Sequence, residues 1–582
     1  MSDQGRTHAV FLDQIEIKNF RGIRRLELKL DETTVLIGEN NTGKSTILAA
    51  LEVCLSRRLG RRGGAFSEYD YRLPTKDSQP SDSDGIEITL RFLERSEGEW
   101  PDEVVQALGE AVQVSADDKQ AVTFRVRSQF DDLLGDFVTA WTFLNPAGDE
   151  LVGARNPALL DALRQLVPVF YLSALRDSAQ EFTPRGQFWR PFVRFSKMEP
   201  DVRQELEEEL AHLNQRVLDA NESFGAIEER LSNTKTIVPL ATDDPVGIEA
   251  IPSRVFDILS RTQVMLSSVT GARLPIGRHG EGTQSLAVVC LFDAFLQSRM
   301  TDTYRDDTTP ILALEEPEAH LHPAAIHSVA TLLQGLSGQK LLTSHSGDLV
   351  GACSITSLRR LRRKNGEITV HHLTTGILDE DEMRKVNYHI RSNRGSVLFA
   401  RCWLLVEGEA DRLILEGCAE AMNRNLAYEG VSFIEYRQIG VGVEALTTFA
   451  DSMGIEWHLV ADNDKAGDDY VKAAEKQLAG RQATQHISQL QHGTLEVFLS
   501  VEGYGYVYKS YISQNKASNV TASQGSLEYW EQVSRSQANK AKIPAAVEVA
   551  NEIRRNGVTG VPSQLADILN CAIHLAEEAR NG

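Results

Sequence analysis

The segment that most constrains the fold runs from Gly38 to Ser45 and reads Gly-Glu-Asn-Asn-Thr-Gly-Lys-Ser. It fits the pattern G-x-x-x-x-G-K-[ST]. An apolar stretch precedes it at 35–37, and apolar residues recur on one helical stripe over 47–55. A strand, a glycine-rich turn and a helix in this order wrap backbone N–H groups around phosphates at a helix N-terminus. The segment therefore predicts an α/β domain that binds a nucleotide.

Individual roles follow from the chemistry of this loop. Lys44 would reach the terminal phosphates, and the Ser45 hydroxyl would hold a magnesium ion. The residues that we predict to bind the nucleotide here are Gly38, Asn40, Asn41, Thr42, Gly43, Lys44, Ser45 and Thr46.

A second acidic motif supports the same chemistry. The segment 310–323, PILALEEPEAHLHP, predicts a buried strand that ends in acids. Glu315 would face the magnesium ion, and Glu316 would act catalytically on the attacking water. The usual residue at the first position is Asp, so the longer Glu315 changes the metal geometry slightly. His345 ends another predicted strand and is a candidate for contact with the γ-phosphate, although a lone His at a strand end is more often structural.

The loop Gly280 to Ser285 resembles the signature loop of ABC-type ATPases. In that arrangement Gly282 and Gln284 would face nucleotide held by another subunit, in a head-to-head dimer with ATP at the interface. About 270 residues separate the two nucleotide motifs, which is too short for a long coiled-coil rod and leaves room for a helical insertion. Apolar residues recur at helical spacing within 198–231. Two interpretations of that helix stay open, a dimerisation arm and a helix packed on its own domain.

The C-terminal part alternates predicted strands and helices, which favours a mostly parallel sheet. Glu407 ends one predicted strand, and Asp462 and Asp464 end another. Strand ends on one edge of such a sheet face the same crevice. Carboxylates gathered there bind hard cations such as Mg²⁺ or Mn²⁺. Glu-Gly on one strand and Asp-x-Asp on a later one is the pattern of a Toprim domain, with Gly440 and Gly442 forming a tight loop between them.

Further acids indicate which chemistry the site supports. Asp411 lies four residues after Glu407 and returns to the same face on the first helical turn. Glu496 lies on a further strand-like run, HGTLEVFL. More carboxylates than one ion needs indicate two metal ions, which clamp the attacking water and the leaving oxygen in phosphodiester hydrolysis. Lys542, near a predicted helix start, could neutralise charge on the phosphate; from the residues alone, a solvated lysine is the default interpretation.

Composition limits the class of partner. The chain has 582 residues and a formal net charge of −21, which predicts several domains and argues against a surface wholly coated by nucleic acid. Local basic segments at Arg57-Arg58, Arg61-Arg62 and 358–366 are candidates for phosphate contacts, with a solvated face as the alternative. Six scattered cysteines without a Cys-x-x-Cys pair indicate reduced thiols and no zinc site. Without a signal segment or a membrane-spanning run, we expect a cytoplasmic protein.

An ABC-type head followed by a Toprim domain resembles the OLD (overcoming lysogenization defect) family of ATP-dependent endonucleases, especially class 2. Those members are similar to the ATPase-nuclease component of Gabija anti-phage systems, which works beside a UvrD-like helicase. The segments that carry the resemblance are FARCWLLVEGE (399–409), GIEWHLVADNDKAG (454–467), LEVF (495–498) and K-x-P-x-A-x-E-V-A (542–550).

The resemblance implies roles residue by residue. The residues that match Glu407, Asp462, Asp464 and Glu496 are metal ligands in the family, and the residue that matches Lys542 lies at the scissile phosphate. Asp411 stands where the family often has Glu, and its shorter arm could shift a second metal ion. Glu409 is treated as a loop residue. The family also implies a dimer formed through the ATPase part, with higher assemblies open.

These observations predict an α/β protein, namely an ABC-type ATPase head with an inserted helical dimerisation region followed by a C-terminal Toprim domain. The predicted boundaries are 1–177, 178–250, 251–392 and 393–582. The predicted function is an ATP-regulated, metal-dependent DNA endonuclease in anti-phage defence or DNA processing, with ATP and two Mg²⁺ (or Mn²⁺) ions per nuclease site. The predicted catalytic residues are Glu407, Asp462, Asp464, Glu496, Lys542 and Glu316. The predicted metal ligands are Glu407, Asp411, Asp462, Asp464, Glu496 and Ser45.

DNA, a second copy of the chain and a UvrD-like helicase are the predicted partners. The sequence also allows two alternative classes. The first is another Toprim enzyme: a topoisomerase needs a tyrosine nucleophile on a separate module, and a primase often needs a zinc-binding part; the sequence offers neither. The second is an ATP-switched DNA clamp or sensor, acting with a helicase partner, whose Toprim part binds without cutting.

Overall fold

The computed structural model describes most of the chain from residue 10 to residue 581. The ranges described are 10–56, 59, 65–75, 77–173, 199–220, 223–224, 227, 248–259, 262, 264–267, 271–298, 300, 304–305, 307–393, 395–437, 440, 442–538 and 540–581.

The strands of the described residues form two large sheets, one smaller parallel sheet and a short hairpin. In chain order they are β1 (Phe11–Phe20), β2 (Ile23–Lys29), β3 (Thr33–Gly38), β4 (Ile86–Leu93), β5 (Gln113–Val114), β6 (Gln120–Asp131), β7 (Asp136–Leu144), β8 (Val169–Leu172), β9 (Met265–Ser267), β10 (Arg273–Pro275), β11 (Ile311–Glu315), β12 (Gln339–Thr343), β13 (Leu358–Lys364), β14 (Glu367–His371), β15 (Cys402–Val406), β16 (Val431–Glu435), β17 (Glu456–Ala461) and β18 (Ile487–Gln489).

The α-helices of the described residues cover the faces of these sheets. They are α1 (Lys44–Leu55), α2 (Asp102–Leu108), α3 (Pro157–Leu166), α4 (Pro200–Asp219), α5 (Val255–Leu259), α6 (Glu281–Ser298), α7 (Pro323–Gly335), α8 (Gly347–Ala352), α9 (Glu380–Ser392), α10 (Glu409–Ala421), α11 (Val443–Ser452), α12 (Lys465–Glu475), α13 (Ala483–His486), α14 (Leu495–Leu499), α15 (Gly505–Ser510), α16 (Leu527–Arg535), α17 (Lys542–Asn556) and α18 (Ser563–Asn581). None of the helices in these described parts is both long and apolar enough to cross a lipid bilayer.

The N-terminal part is built on two sheets. An antiparallel sheet has the order β2-β1-β4-β6-β5, and β7 also pairs with β6. The second sheet has the order β14-β13-β3-β12-β11-β8, and it is parallel except for β14. Strand β3 lies between β13 and β12, and it leads into the glycine-rich loop and α1. This layout confirms the strand, loop and helix predicted around Gly38 to Ser45. Strands β1 and β2 pair as an antiparallel hairpin.

The C-terminal part contains a four-stranded parallel sheet of order β16-β15-β17-β18. Every residue of β15 is buried, as expected for a central strand with helices on both faces. The parallel sheet predicted from the alternation of strands and helices is therefore confirmed. Because β15 and β17 are parallel neighbours, their carboxyl ends lie at the same edge.

The two parts share a hydrophobic core. One buried cluster contains Val35 of β3 and Leu342 of β12 together with Trp403 of β15 and Trp457 of β17. Removal of apolar surface from water stabilises such a cluster by about 25 cal/mol per Å². The sheet that carries the glycine-rich loop and the sheet that carries the C-terminal acids are therefore held together by continuous packing.

Two predicted elements need correction. The run HGTLEVFL at 492–499 predicts a strand, but Leu495–Leu499 form the short helix α14 and all five residues are buried. A short apolar run that is buried on every side has no periodicity that separates strand from helix. Glu409 is the first residue of α10 and not a loop residue.

The long helix predicted over 198–231 is present as α4, and much of the region beyond residue 220 lies outside the described residues. None of the residues of α4 is buried, and the apolar side chains of Leu213 and Val217 are 43% and 37% exposed. The described part of the chain therefore leaves the apolar seam of α4 uncovered. Its role in dimerisation stays a prediction, as do the domain boundaries.

Candidate functional site

Four carboxylates meet at the carboxyl edge of the C-terminal parallel sheet. Glu407 follows β15, Asp411 lies on the first turn of α10, Asp462 follows β17, and Glu496 lies on α14. Each is buried, with between 6% and 8% of its surface exposed. Four of the five acids predicted from the sequence are thus brought together by two neighbouring strands and the helices that follow.

Mutual repulsion and burial act on these acids in the same direction. Burial, reinforced by Asp411, Glu407 and Glu496, raises the pKa of Asp462 to about 8. Burial also raises the pKa of Asp411 to about 7, against the opposing effect of Lys542. A site that holds protons on carboxylates near neutral pH lacks positive charge.

Lys542 supplies part of that charge. Its Nζ donates to Glu496 Oε1 at 2.9 Å, and the hydroxyl of Thr494 donates to the other oxygen of Glu496 at 2.6 Å. Although burial opposes it, the Lys542 ammonium holds the pKa of Glu496 below its ordinary value. Lys542 is the first residue of α17, and its side chain is 49% exposed, so it faces both the acids and the solvent.

Asp464 lies apart from the buried four. Its side chain is exposed, and its Oδ1 accepts the backbone N–H of Gly467 at 2.8 Å as the N-cap of α12. Asp462, two residues earlier, accepts the backbone N–H of Leu495 at 3.1 Å and so fixes the start of α14. The Asp-x-Asp motif therefore places one carboxylate inside the cluster and one at its rim.

Arg437, which follows β16, is a residue of this site that sequence reasoning missed. Its guanidinium donates to Glu407 Oε1, while its side chain remains 68% exposed. A single arginine after a strand carries no motif, so only the topology could have found it. As the side chains stand, no three acidic, histidine or cysteine residues in the described parts of the chain are gathered to coordinate one ion. Glu407 and Glu496 are each engaged by a cation.

The donor set nevertheless fits a hard divalent cation. All the candidate ligands are carboxylate oxygens, the type that Mg²⁺ and Mn²⁺ prefer, and two cationic side chains leave the cluster short of positive charge. Glu407, Asp411, Asp462 and Glu496 are the residues that would hold such ions, with Asp464 at the rim. Arg437 and Lys542 would have to release Glu407 and Glu496 as the ions enter.

The second site lies at the glycine-rich loop. Gly38 and Gly43 adopt φ of 147° and 91°, and a Cβ on Gly38 would lie 2.4 Å from the carbonyl oxygen of Leu361. In this protein Lys44 Nζ donates to the carbonyl oxygens of Gly38 and Glu39, each at 2.9 Å. Burial lowers the pKa of Lys44 to about 8. The lysine is thus folded onto the loop, where phosphate oxygens would replace the carbonyls.

The acids predicted beside this loop lie next to it. His345 Nε2 is 3.5 Å from Glu316 Oε1, and burial followed by the charge of Lys44 lowers the pKa of His345, which keeps the ring neutral at pH 7. Two supporting residues were missed from the sequence. The hydroxyl of Tyr171 donates to Glu315 at 2.6 Å, and the buried Glu318 accepts from the Ser344 hydroxyl and from the backbone N–H of His345.

A cavity of about 630 Å³ opens beside the loop, within the size range of small-molecule sites. Its walls include the glycine-rich loop at 38–42 and His345, together with β13 residues, Phe399 and Arg401. Gly282 and Gln284 begin α6 and do not line this cavity. Their predicted role toward nucleotide on another subunit stays a prediction.

Two arginines of the basic segment 358–366 are not available for contacts with DNA, whereas Arg362 and Arg363 are partly exposed and Lys364 is exposed, so their role stays a prediction. Arg359 and Arg360 are buried, with 4% and 5% exposed. Arg360 donates to the carbonyl oxygens of Met453, Gly454 and Ala400. The prediction is wrong for these two arginines because β13 is an internal strand of the sheet. The pairs Arg57-Arg58 and Arg61-Arg62 lie outside the described residues.

The fold and the two sites define a P-loop ABC-type head joined to a Toprim domain. Comparison with known families agrees. The family described as "Protein of unknown function (DUF2813)" matches residues 10–397, and "Overcoming lysogenization defect protein-like, TOPRIM domain" matches residues 398–464. The chain therefore belongs to the DUF2813 family and carries an OLD-like Toprim domain.

Similar proteins extend over most of the chain. A protein of Escherichia coli K12 named YbjD is 29% identical over 97% of this chain and 99% of its own length. "OLD nuclease" of Thermus scotoductus is 25% identical over 69% and 72%, and "Endonuclease GajA" of Bacillus cereus is 22% identical over 77% and 74%. The head domain of an Smc protein from Pyrococcus furiosus, which covers 66% of this chain and 100% of its own, has a TM-score of 0.36 at 14% identity. The predicted α/β fold with a C-terminal Toprim domain of the OLD type is confirmed.

Removal of one acid should stabilise the metal-free protein in a pH-dependent way. Because the pKa of Asp462 rises from 3.8 to about 8 on folding, the folded protein keeps a proton that the unfolded chain releases. Stability from this group is therefore lost as pH rises between those values. We expect Asp462→Asn to raise the unfolding free energy in EDTA by roughly 2–4 kcal/mol more at about pH 8.5 than at about pH 5.

The matched control is Asp469→Asn, which changes an exposed acid on α12 that pairs with Lys472. Chemical denaturation at the two pH values would measure the difference. An equal effect of Asp462→Asn at both values would contradict the electrostatic account of the cluster.

Proposed function

We propose that this protein is a divalent-metal-dependent DNA endonuclease whose activity is regulated by ATP, and that it acts in anti-phage defence or DNA processing. The observation that carries the proposal is the group of four buried carboxylates beside Lys542 at the open edge of a Toprim sheet. So many acids in one place destabilise the fold, and a site that binds cations gives them a use. Names of similar proteins, "OLD nuclease" and "Endonuclease GajA", support the same activity.

In this proposal the chain's own residues bind and position. Glu407, Asp411, Asp462, Asp464 and Glu496 hold two Mg²⁺ or Mn²⁺ ions. When bound, the ions supply an activated water and neutralise charge on the leaving oxygen. Lys542, which faces the solvent from the edge of the cluster, releases Glu496 and donates to the phosphate that is cut.

The head would bind ATP through Gly38, Asn40, Asn41, Thr42, Gly43, Lys44, Ser45 and Thr46. Lys44 would exchange the carbonyl oxygens of Gly38 and Glu39 for phosphate oxygens. Ser45 and Glu315 would hold magnesium, Glu316 would orient water, and His345 would contact the γ-phosphate. Gly282 and Gln284 would complete the site on a second copy of the chain, so that nucleotide closes a dimer.

Strand β15 supports a mechanical link between the two sites. Arg401 precedes β15, and its Nη1 lies 3.0 Å from Oε1 of Glu39 in the glycine-rich loop. Glu407 follows the same strand at its other end. The five intervening residues are buried and hydrogen-bonded to strands on both sides, so they move as a unit. Nucleotide that displaces Glu39 would therefore act on Glu407 from the opposite end of the strand, which lies roughly 20 Å away at about 3.3 Å per residue.

Arg360 adds a second link. It lies on β13, which pairs directly with β3 and reaches Gly38. Its guanidinium donates to Ala400 at 2.9 Å, before β15, and to Gly454 at 2.7 Å, before β17. Both strands that carry the candidate metal ligands are therefore fixed at their starting ends to the strand beside the glycine-rich loop. Such coupling would let ATP adjust the distance between Glu407 and Asp462.

The alternative is an ATP-switched DNA clamp or sensor that works with a helicase partner without cutting. The observation that favours it is that Arg437 and Lys542 engage Glu407 and Glu496, so that the acids do not stand as a ready set of ligands. A cleavage assay separates the two functions.

Supercoiled plasmid with Mg²⁺ or Mn²⁺ should be nicked or linearised by the wild type. We expect Asp462→Asn to reduce the cleavage rate by at least about 10- to 100-fold, because mutation of residues that only support metal ligands already costs that much. Asp469→Asn should cut like the wild type. Binding of plasmid by all three proteins without cutting by any of them would support the clamp instead.

Regulation by ATP should depend on the contact between the head and β15. We expect Glu39→Gln to cut DNA like the wild type without nucleotide but to lose most of the change that ATP causes, because the charge that holds Arg401 is gone. ATP affinity, measured separately by titration, should stay within about threefold. The matched control is Glu367→Gln, which removes an exposed partner of Arg24 on β14, in the sheet that carries the glycine-rich loop. An unchanged ATP effect in Glu39→Gln would rule out this path.

A further inference from the structure

The backbone of Arg437 is fixed by hydrogen bonds, whereas its side chain is mostly exposed. The backbone N–H of Tyr436 donates to Val406 at 3.0 Å, and that of Arg437 donates to the carbonyl oxygen of Glu407 at 3.3 Å. The Tyr436 hydroxyl donates to Val460 of β17. These bonds tie the start of the Arg437 side chain to both strands of the acidic site. The guanidinium nevertheless keeps most of its surface in solvent, so its position can change without a change in the fold.

Two cationic side chains flank the acids from different elements. Lys542 of α17 engages Glu496. Arg437, after β16, engages Glu407, and the charge of Asp464 at the rim also acts on it. Each cation is paired with a candidate metal ligand. A divalent ion at Glu407 would take the oxygen that Arg437 now holds and would repel the guanidinium at close range.

DNA needs positive charge on this flank. The chain carries a net charge of −21, and Arg359 and Arg360 of β13 are buried, so these two arginines offer no phosphate contacts. A guanidinium is a planar fork of donors that matches phosphate oxygens and remains charged at all working pH values. Arg437 is anchored beside Glu407 and reaches into solvent, which adds a second phosphate-binding group to the site that Lys542 borders.

We propose that Arg437 is paired with Glu407 in the metal-free protein and is released when a divalent ion binds to Glu407. Arg437 then contacts a DNA phosphate next to the one that is cut. The inference rests on the proposed nuclease function. It assigns Arg437 a positioning role. Arg437 competes with the ion for Glu407 and, once the ion has displaced it, fixes the path of the DNA backbone across the site.

Two binding measurements on the full chain test this role without any need for cleavage. Titration calorimetry with Ca²⁺ measures metal affinity, and fluorescence anisotropy measures the affinity for a labelled duplex in Ca²⁺ over a series of salt concentrations. The variants are Arg437→Ala and Arg437→Lys. The control is Arg384→Ala, which removes an exposed arginine that pairs with Asp381 on α9.

We expect Arg437→Ala to bind Ca²⁺ about 2- to 10-fold more tightly, because a competitor for Glu407 is gone. It should bind the duplex more weakly, and the slope of log affinity against log salt should fall by about 0.9, the value for one phosphate contact. Arg437→Lys should keep the salt slope, because lysine keeps the positive charge. It should bind the duplex somewhat more weakly than the wild type, because lysine cannot form the bidentate contact of arginine. Arg384→Ala should match the wild type in both measurements.

Weaker Ca²⁺ binding by Arg437→Ala would overturn the proposal, since it would make Arg437 a structural support for Glu407. An unchanged salt slope, with wild-type duplex binding intact, would overturn the phosphate contact while leaving the nuclease function standing. Failure of the wild type to bind the duplex at all would overturn both. Unfolding temperatures of the variants, measured in the same buffers, separate a loss of fold from a loss of contact.

Discussion

The arrangement of both sites depends on the buried guanidinium of Arg360. It donates to three backbone carbonyl groups, which lie before β15 and before β17, from a strand that pairs with β3. A buried charge is costly unless its donors are satisfied, and an unpaired buried carbonyl costs about 1–3 kcal/mol. Burial lowers the pKa of Arg360 to about 10, which still leaves it charged at neutral pH. The Arg360 guanidinium and the three carbonyl groups therefore stabilise each other, and their hydrogen bonds fix the Toprim strands against the nucleotide-binding sheet.

The shared core turns that connection into a rigid body. Trp403 and Trp457, which belong to β15 and β17, are fully buried in the same cluster as residues of β3 and β12. Close-packed interiors resist small displacements and transmit strain. The acids are placed at the far ends of these rigid strands, where repulsion among Glu407, Asp411, Asp462 and Glu496 is held in check by packing at the near ends. An electrostatically unfavourable site can persist only because the strands beneath it are stable.

Much of the fold and of the site could be predicted, because the informative residues lie at strand ends. Gly38 to Ser45 and the acids at Glu407 and Asp462 combine a local sequence pattern with a topological rule about parallel strands, and the two together located them. Local pattern failed where burial is complete, as in the apolar helix that carries Glu496. It also failed for Arg359 and Arg360, since a run of arginines gives no sign of which side chains find buried acceptors. Arg437, Tyr171 and Glu318 were missed because each acts through contacts with residues that are distant in sequence.

The central claim is that the nucleotide site and the nuclease site influence each other, and thermodynamic linkage gives its most direct test. If occupancy of one site changes affinity at the other, the change is reciprocal. The measurement is the affinity of a non-hydrolysable ATP analogue in Mn²⁺, for the wild type and for a variant with both Glu407→Gln and Asp462→Asn. The account predicts that the two affinities differ by at least about threefold, since only the wild type fills the nuclease site. Equal affinities, with the head shown to bind the analogue in both proteins, would contradict it.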